Sequence, residues 1–420
     1  MNMPLILALI TLLPAIAAAQ EPKAIAWRDC QETALQHNPA LASSRYTLES
    51  ARYRYYASRN QDLPYPGLTA SHSYSRSGSN YGTGPSDNFS FSLGASETLF
   101  SVRSNADLKL QLNSLDKADL DLRVSLASAR ADLLNSFVNL LYAQENIRVA
   151  GDISAIRDKN AAMIRLQYDS GMESKGNLMQ SEALAEQARS NIAQTKRSLV
   201  SAQRGLASSL GMDQFAPLAA SGTLAVPPSV AGVDVDAVTP SLPGLLSAKK
   251  TLEAAQTQLA QAGADIFPSL SATQNLGWSG NSELPGNRAW SLGLALSWPL
   301  FSNGPTYHKN NVASAKSQLE KARQDYRGTL LSAKANLQSA LARLDSAIDT
   351  VRIAGLTLDA ARQRHSEAEV QYLAGTLNFQ NWQDVEQALV SAKQNYLSVL
   401  QDANAARAQV DNLLGVPLGD

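Results

Sequence analysis

The apolar positions of this chain change period along its length, and the change marks its elements. From Val312 to Val351 they step by three or four: Val312, Ala315, Leu319, Ala322, Tyr326, Leu330, Ala333, Leu337, Leu341, Leu344, Ile348 and Val351. Leu108, Leu112, Leu115, Leu122, Leu126, Ala129, Leu133, Phe137 and Leu140 step in the same way. This is the seam of a coiled-coil helix. Ala and Ser between the large residues let neighbouring helices approach closely. The pattern predicts long helices over about 103–167 and 304–371, and shorter ones over about 39–63, 172–211, 243–266 and 376–415. Asn38-Pro39 opens the first helix, where a proline is tolerated. The breaker Pro64-Tyr65-Pro66-Gly67 closes it.

Elsewhere the period falls to two. Strands are predicted over about 68–77, 89–100, 270–279 and 290–301. In the second strand of each pair one alternate set is Phe89, Phe91, Leu93, Ala95, or Trp290, Leu292, Leu294, Leu296, Trp298. The intervening residues are small or polar: Ser90, Ser92, Gly94, then Ser291, Gly293, Ala295, Ser297. One face suits lipid and the other water, and the length matches a tilted transmembrane β-strand. The first strand of each pair is more polar. The segments 77–88 and 279–288 are turn-rich and polar, as loops outside a membrane would be. An amphipathic hairpin on a water-soluble core is the alternative for these strands.

The elements recur. Residues 37–51 align with 241–255, pairing Pro39 with Pro243 and the TLE at Thr47 with that at Thr251. Residues 88–101 align with 289–302 and share LFS. Residues 167–183 align with 371–387, pairing Tyr168 with Tyr372, Gly171 with Gly375 and Glu182 with Glu386. Leu210-Gly211 matches Leu414-Gly415. Collinear blocks at a nearly constant offset imply a duplication. One unit covers 20–212, a linker rich in Pro, Gly, Ala and Ser covers 213–240, and the second unit covers 241–420.

Length then limits the architecture. A helix of about 65 residues spans about 97 Å, too long for a compact domain. Two shorter helices end to end match it, so each unit is read as a rod of antiparallel helices carrying a β-hairpin. Lipid tolerates no open sheet edge. Four strands per chain cannot close a barrel, for which about eight is the practical minimum, so the chain must associate.

Composition narrows the chemistry. Residues 1–19 read as a secretory signal: an apolar run to Ile16, then Ala17-Ala18-Ala19 before Gln20. A buried N-terminal helix is the alternative. No other stretch has the length of a membrane-spanning helix. Lys+Arg is 36 and Asp+Glu 37 in 420 residues, a net charge of −1, which disfavours a nucleic-acid surface. The one cysteine, Cys30, excludes an internal disulfide and a paired-cysteine zinc site, and its Trp-Arg-Asp context argues against lipidation. His37, His72, His308 and His365 are far apart, so no metal centre is expected. No nucleophile elbow or phosphate loop is present, and neither enzyme activity nor a cofactor is expected.

The duplicated plan, the LFS after the second strand of each unit, the paired YxxG turns and the terminal LG pairs together resemble the TolC-like outer-membrane efflux protein family. The resemblance covers almost all of the chain after residue 19. It implies a mainly α fold whose trimer forms a 12-stranded β-barrel continuing into a long periplasmic α-helical barrel. It also implies a passive exit duct in the outer membrane, a periplasmic adaptor protein, and an inner-membrane pump of the RND, ABC or MFS type. The adaptor would dock at the turns, on Tyr168, Asp169, Gly171, Met172, Tyr372, Gly375 and Thr376. Glu367 and Glu369 are candidate acidic residues at the pore entrance. Tyr74, Phe100, Trp278, Trp290, Trp298 and Phe301 are candidate membrane-interface aromatics. The competing reading is a periplasmic coiled-coil adaptor or scaffold with no membrane span.

Overall fold

The computed structural model describes residues 23–61, 63–75, 86–230, 232–301 and 303–419. The expected signal segment lies outside the described residues. The elements run β1 (Lys23–Ile25), α1 (Trp27–His37), α2 (Pro39–Asn60), β2 (Tyr65–Ser75), β3 (Ser86–Phe100), α3 (Val102–Asp169) and α4 (Lys175–Leu210). They continue with β4 (Leu218–Ala220), α5 (Val235–Val238), α6 (Pro243–Gly263), β5 (Ser269–Gly280), β6 (Asn287–Ser297), α7 (Pro305–Leu373) and α8 (Phe379–Leu414).

Two helices dominate. α3 has 68 residues and α7 has 69, each about 100 Å long. Within the first unit α2 and then α4 line α3, and in the second α6 and then α8 line α7. α3 also packs against α6 and α8, so it joins the two units. Of the predicted seams, Leu133, Phe137 and Leu140 on α3 and Leu319, Leu337, Leu344 and Val351 on α7 are buried. Leu112, Leu331, Ile353 and Leu356 stay exposed in the single chain.

The hairpins pair into one antiparallel sheet in the order β2-β3-β5-β6. Among the described residues, neither β2 nor β6 has an outer neighbour. Pro66 is therefore on an edge strand, where its missing N–H is tolerated.

Both units close by the same device. Gly211 and Gly415 cap α4 and α8 in the left-handed region, at φ 75 in each case. Each capping glycine touches the start of its own unit's first long-helix partner. A Cβ on Gly211 would lie 2.2 Å from the His37 carbonyl oxygen, and one on Gly415 would lie 2.7 Å from Pro243 Cδ. Asn38, the N-cap of α2, donates from Nδ2 to the Ser209 carbonyl at 2.9 Å.

Several features depart from the sequence expectations. β1 and α1 precede the expected first helix. The linker is not featureless: β4 pairs in parallel with β1, and α5 follows. Pairing between β1 and β4 covers a core of Ile25, Cys30, Leu41, Leu140, Leu206 and Leu218. Further along, the linker is fastened by Arg407, which donates to the Pro228 carbonyl and to Asp411, a carboxylate shared with Arg130. β6 stops at Ser297 instead of 301 because Pro299 cannot donate to a ladder, and the next two residues turn left-handed (Leu300 φ 29, Phe301 φ 68).

The two kinds of glycine separate conformational cost from steric cost. Gly171→Ala, with nothing within 4 Å of the added Cβ, should lose about 1–2 kcal/mol from its left-handed φ alone. Gly211→Ala should lose about 1–3 kcal/mol more, because the backbone must move apart. Thermal unfolding of the two variants in detergent should rank them in that order.

Candidate functional site: the sheet faces and the hairpin tips

Register decides what each sheet face offers. Leu68, Leu93, Leu276 and Trp290 lie directly across from one another. Flanking rows on the same face are Ala70, Phe91, Trp278, Arg288 and Pro66, Ala95, Gln274, Leu292. Next toward the helices come Glu97, Ala272 and Leu294. The opposite face carries Gly67, Gly94, Asn275, Ser291 and then Thr69, Ser92, Gly277, Ala289. Side chains alternate between faces along a strand, so one face is largely apolar and the other is glycine, hydroxyl and amide. The apolar face has no cover: Trp290 is 79% exposed and Leu292 71%. The first strands, polar in bulk composition, still place Leu68 and Leu276 on this face.

A bulge adjusts the last row. The β3–β5 register shifts between Thr98 and Phe100, which leaves Leu99 unpaired and sets Phe100 opposite Leu270. Phe100 thereby joins the apolar face beside Leu296, Leu270's partner on β6; without the extra residue it would point to the polar side.

The candidate interface aromatics fall at different levels. Phe100, Trp298 and Phe301 are at the helical end of the sheet, and Trp298 Nε1 donates to the Ile266 carbonyl at 3.0 Å. Tyr74 is near the opposite end. Trp278 stacks obliquely on Phe91, with ring centroids 5.4 Å apart. Trp290 is not at a rim: it sits mid-sheet, opposite Leu276. The shared LFS triplets also diverge. In the first unit Phe100 ends β3 and the Ser101 hydroxyl accepts from Ser104 N–H to cap α3. In the second, Leu300 and Phe301 form the left-handed turn beyond β6, so an equivalent sequence holds a different backbone.

The two YxxG turns share a backbone. Gly171 (φ 78) and Gly375 (φ 70) reverse the chain. Met172 N–H donates to the Gln167 carbonyl at 2.8 Å and Thr376 N–H to the Gln371 carbonyl at 3.0 Å. These are Schellman closures. Ser174 and Asn378 then cap the following helices. The side chains differ. Tyr168 is 37% exposed, whereas Tyr372 is 5% exposed and stacks on Trp382, with centroids 4.7 Å apart. The Tyr372 hydroxyl lies 2.8 Å from Gln167 Oε1 and 2.5 Å from Glu173 Oε1, both belonging to the other hairpin. Asp169, Gly171, Met172, Gly375 and Thr376 are exposed, whereas the Tyr372 side chain is buried between the two hairpins and is not part of the exposed tip surface.

Charge at the tips is largely tied up. Glu369 is paired with Lys159 across the helices, and Glu367 accepts from Gln363 at 2.8 Å. Glu182 pairs with Arg165 near the surface. Its repeat equivalent, Glu386, is buried on α8 beside the buried Arg157 of α3, with Oε1 3.1 Å from Nη1. Burial pushes the Glu386 carboxyl up, with Arg157 and Asn160 opposing. Burial also acts to raise Glu173, but hydrogen bonds from Tyr372, Asn177 and the Ser174 N–H outweigh it and hold that carboxyl below its ordinary value. Sequence reasoning missed Glu173, Arg157 and Trp382. The repeat showed Glu182 and Glu386 as equivalents, but not that only one is buried.

A mainly helical chain carrying a four-stranded antiparallel sheet, apolar outside and hydroxyl-lined inside, defines a subunit of a transmembrane β-barrel with a helical extension. The chain matches the outer membrane efflux protein family over residues 31–212 and 241–416, and it belongs to that family, as the repeated motifs implied. Among curated relatives it is similar to the outer membrane protein OprJ of Pseudomonas aeruginosa, at 24% identity over 85% of this chain and 77% of OprJ. It is also similar to the probable outer membrane lipoprotein SilC of Salmonella typhimurium, at 22% identity over 68% of this chain and 63% of SilC, a little under two thirds of that relative. Among solved structures it superposes on the outer-membrane channel OprN with a TM-score of 0.83 at 20% identity, covering 93% of this chain and 90% of that one.

The Glu173 shift has a definite sign. A carboxyl lowered from 4.5 on folding adds stability above that pH, and the gain disappears as pH falls through its folded value. Tyr372→Phe removes the donor. Its thermal midpoint should fall below that of the wild type near neutral pH, and the gap should narrow below about pH 4, as read by thermal scans across that range.

Proposed function

We propose that this chain is the outer-membrane exit duct of a tripartite efflux or type I secretion system: a trimer that supplies a passive water-filled path, driven by an inner-membrane pump and joined to it by a periplasmic adaptor. The observation that carries the reading is the register-aligned apolar sheet face backed by a hydroxyl-lined one, with both edges unpaired among the described residues. In water, that face would leave a large exposed apolar patch, which a soluble adaptor or scaffold does not tolerate. In lipid, three copies supply twelve strands and pair every edge. The family works as trimers in tripartite efflux, and its members are conduits rather than enzymes. The pump class, RND, ABC or MFS, belongs to this proposal, as does the route by which the adaptor docks.

The exposed helical faces at Leu331, Ile353 and Leu356 suit a neighbouring copy. At the tips, the exposed Leu166, Met172, Met179 and Leu373 beside the two glycine turns offer an apolar surface for the adaptor, with Tyr168, Asp169 and Thr376 around it. Phe100, Trp298 and Phe301 would mark the periplasmic membrane boundary, and Tyr74 and Trp278 the outer half.

Ser92 and Leu93 are neighbours on opposite faces. In trimers reconstituted into planar lipid, a Ser92→Cys variant should lose conductance when a bulky, membrane-impermeant thiol reagent is added. A Leu93→Cys variant should not respond. The native Cys30 will not interfere, because it is buried and its thiol is pushed up to about 12 by burial and by Asp29. Equal labelling of both positions from water would remove the membrane assignment.

For docking, Gly171→Asp or Gly375→Asp should abolish export in cells while membrane-embedded trimers persist at wild-type levels. Export at the normal rate by both variants would move the docking site elsewhere.

A further inference from the structure

Where the linker crosses the helices, a pocket opens between α3, α7 and α8, with linker residues 222–224 along its rim. It holds about 430 Å³, counted as room for the centre of a water-sized sphere, which is within the range of small-molecule sites. Its residues come from both units and from the linker, so the repeat gives no sign of it. Part of the wall is apolar: Leu141 and Val149 of α3, Leu358 of α7, Leu397 and Leu400 of α8, and Leu224 of the linker. Leu224 is packed against the cluster of Val149 with Leu397 and against that of Leu400 with Val351. No second copy is needed to form the pocket.

The rest of the wall is polar, and its acceptors are in use. Glu145 accepts from Arg148 Nε at 3.0 Å, and Asp152 accepts from Arg148 Nη1 at 3.4 Å. The Gln144 amide is spent on Ala220: Oε1 accepts from its N–H at 2.9 Å and Nε2 donates to its carbonyl at 3.4 Å. Lys393 differs. Its side chain is only 16% exposed, and among the described residues the one carboxylate within ion-pair range is Asp152, 3.8 Å from Nζ. That is beyond a hydrogen bond. Arg362, at the rim, gives Nη1 to Asp359 at 3.1 Å, outside the pocket, and keeps further N–H groups.

The spare hydrogen-bonding capacity of the pocket is therefore donor capacity, and it lies beside a leucine wall. A largely buried ammonium with no close acceptor is costly. We propose that this pocket binds an amphipathic carboxylate, an organic acid with an alkyl tail. The carboxylate accepts from Lys393, with Arg362 beside it, in a charge-assisted bond. The tail lies along Leu141, Val149, Leu358, Leu397 and Leu224. An inorganic anion leaves the leucine wall uncovered, and a plain hydrocarbon leaves the ammonium unmatched. An organic cation finds the carboxylates already taken by Arg148. The bound acid joins α3 of the first unit to α7, α8 and the linker. The site belongs to the folded protomer, so its failure would leave the duct reading untouched.

The test uses full-length trimers in polymer-bounded lipid discs, with octanoate as the probe and octanol and acetate as comparisons. Equilibrium dialysis, corrected with empty discs, should show saturable octanoate binding, with octanol and acetate weaker by about tenfold or more. Lys393→Met keeps the apolar stem and removes the charge. It should weaken octanoate by about tenfold, and Lys393→Arg should restore most of the loss. The proposal is overturned if octanoate binds no more tightly than octanol, or if Lys393→Met binds it as the wild type does. Should Lys393→Met fail to assemble, Arg362→Gln at the exposed rim takes its place: a loss of about threefold supports the site, and unchanged binding overturns it.

Discussion

A sheet edge in hydrocarbon leaves backbone N–H and C=O groups with neither water nor a partner, at a cost of several kcal/mol for each. β2 and β6 are such edges, and among the described residues no strand pairs with their outer sides. The sheet is nevertheless prepared for closure. It has four strands, so β2 and β6 run in opposite directions and copies can join antiparallel around a ring. With strands about 4.8 Å apart and tilted by about 40°, twelve of them enclose roughly 24 Å between backbones. Glycine, serine and threonine on the inner face take little of that width.

The helical part answers the same constraint. A barrel wall one helix thick needs helices long enough to reach across the periplasm and neighbours on both flanks. α3 has flanking helices from both units, which makes it the axis of the protomer. α7 is lined by α6 and α8 and leaves apolar residues uncovered for another copy. Close approach is secured where the repeat ends, at Gly211 and Gly415, and by the linker that crosses the wall and is pinned by Arg407 and Asp411.

Duplication has not produced two equal halves. The turns at Gly171 and Gly375 have the same hydrogen-bonded backbone, yet Tyr168 faces solvent while Tyr372 is stacked under Trp382 and bonded to the first hairpin. Glu182 and Glu386 are equivalents in the repeat, but one lies near the surface and the other beside a buried arginine. Tyr372 and Glu386 thus fasten the second hairpin to the first, whereas their repeat equivalents Tyr168 and Glu182 lie at the surface. The two LFS triplets diverge as well, one entering a helix directly and the other through a left-handed turn, because Pro299 interrupts the second strand.

Periodicity in the amino-acid order was sufficient for the helices, the four strands, the apolar alternation and the duplication. Each of these follows from spacing along the chain, since a period of 3.6 or 2 places residues on one face whatever the rest of the molecule does. Glycine at the turns was legible for the same reason. Burial and partnership were not. Whether Tyr372 meets a partner or a core, whether Glu369 is free or held by Lys159, and whether Phe100 faces lipid all depend on contacts between elements far apart in sequence, or on a single bulged residue that reverses a face. Those were decided only when α3, α4 and α8 came together and the strands settled into register, because local spacing sets which side chains share a surface, and only packing sets what that surface touches.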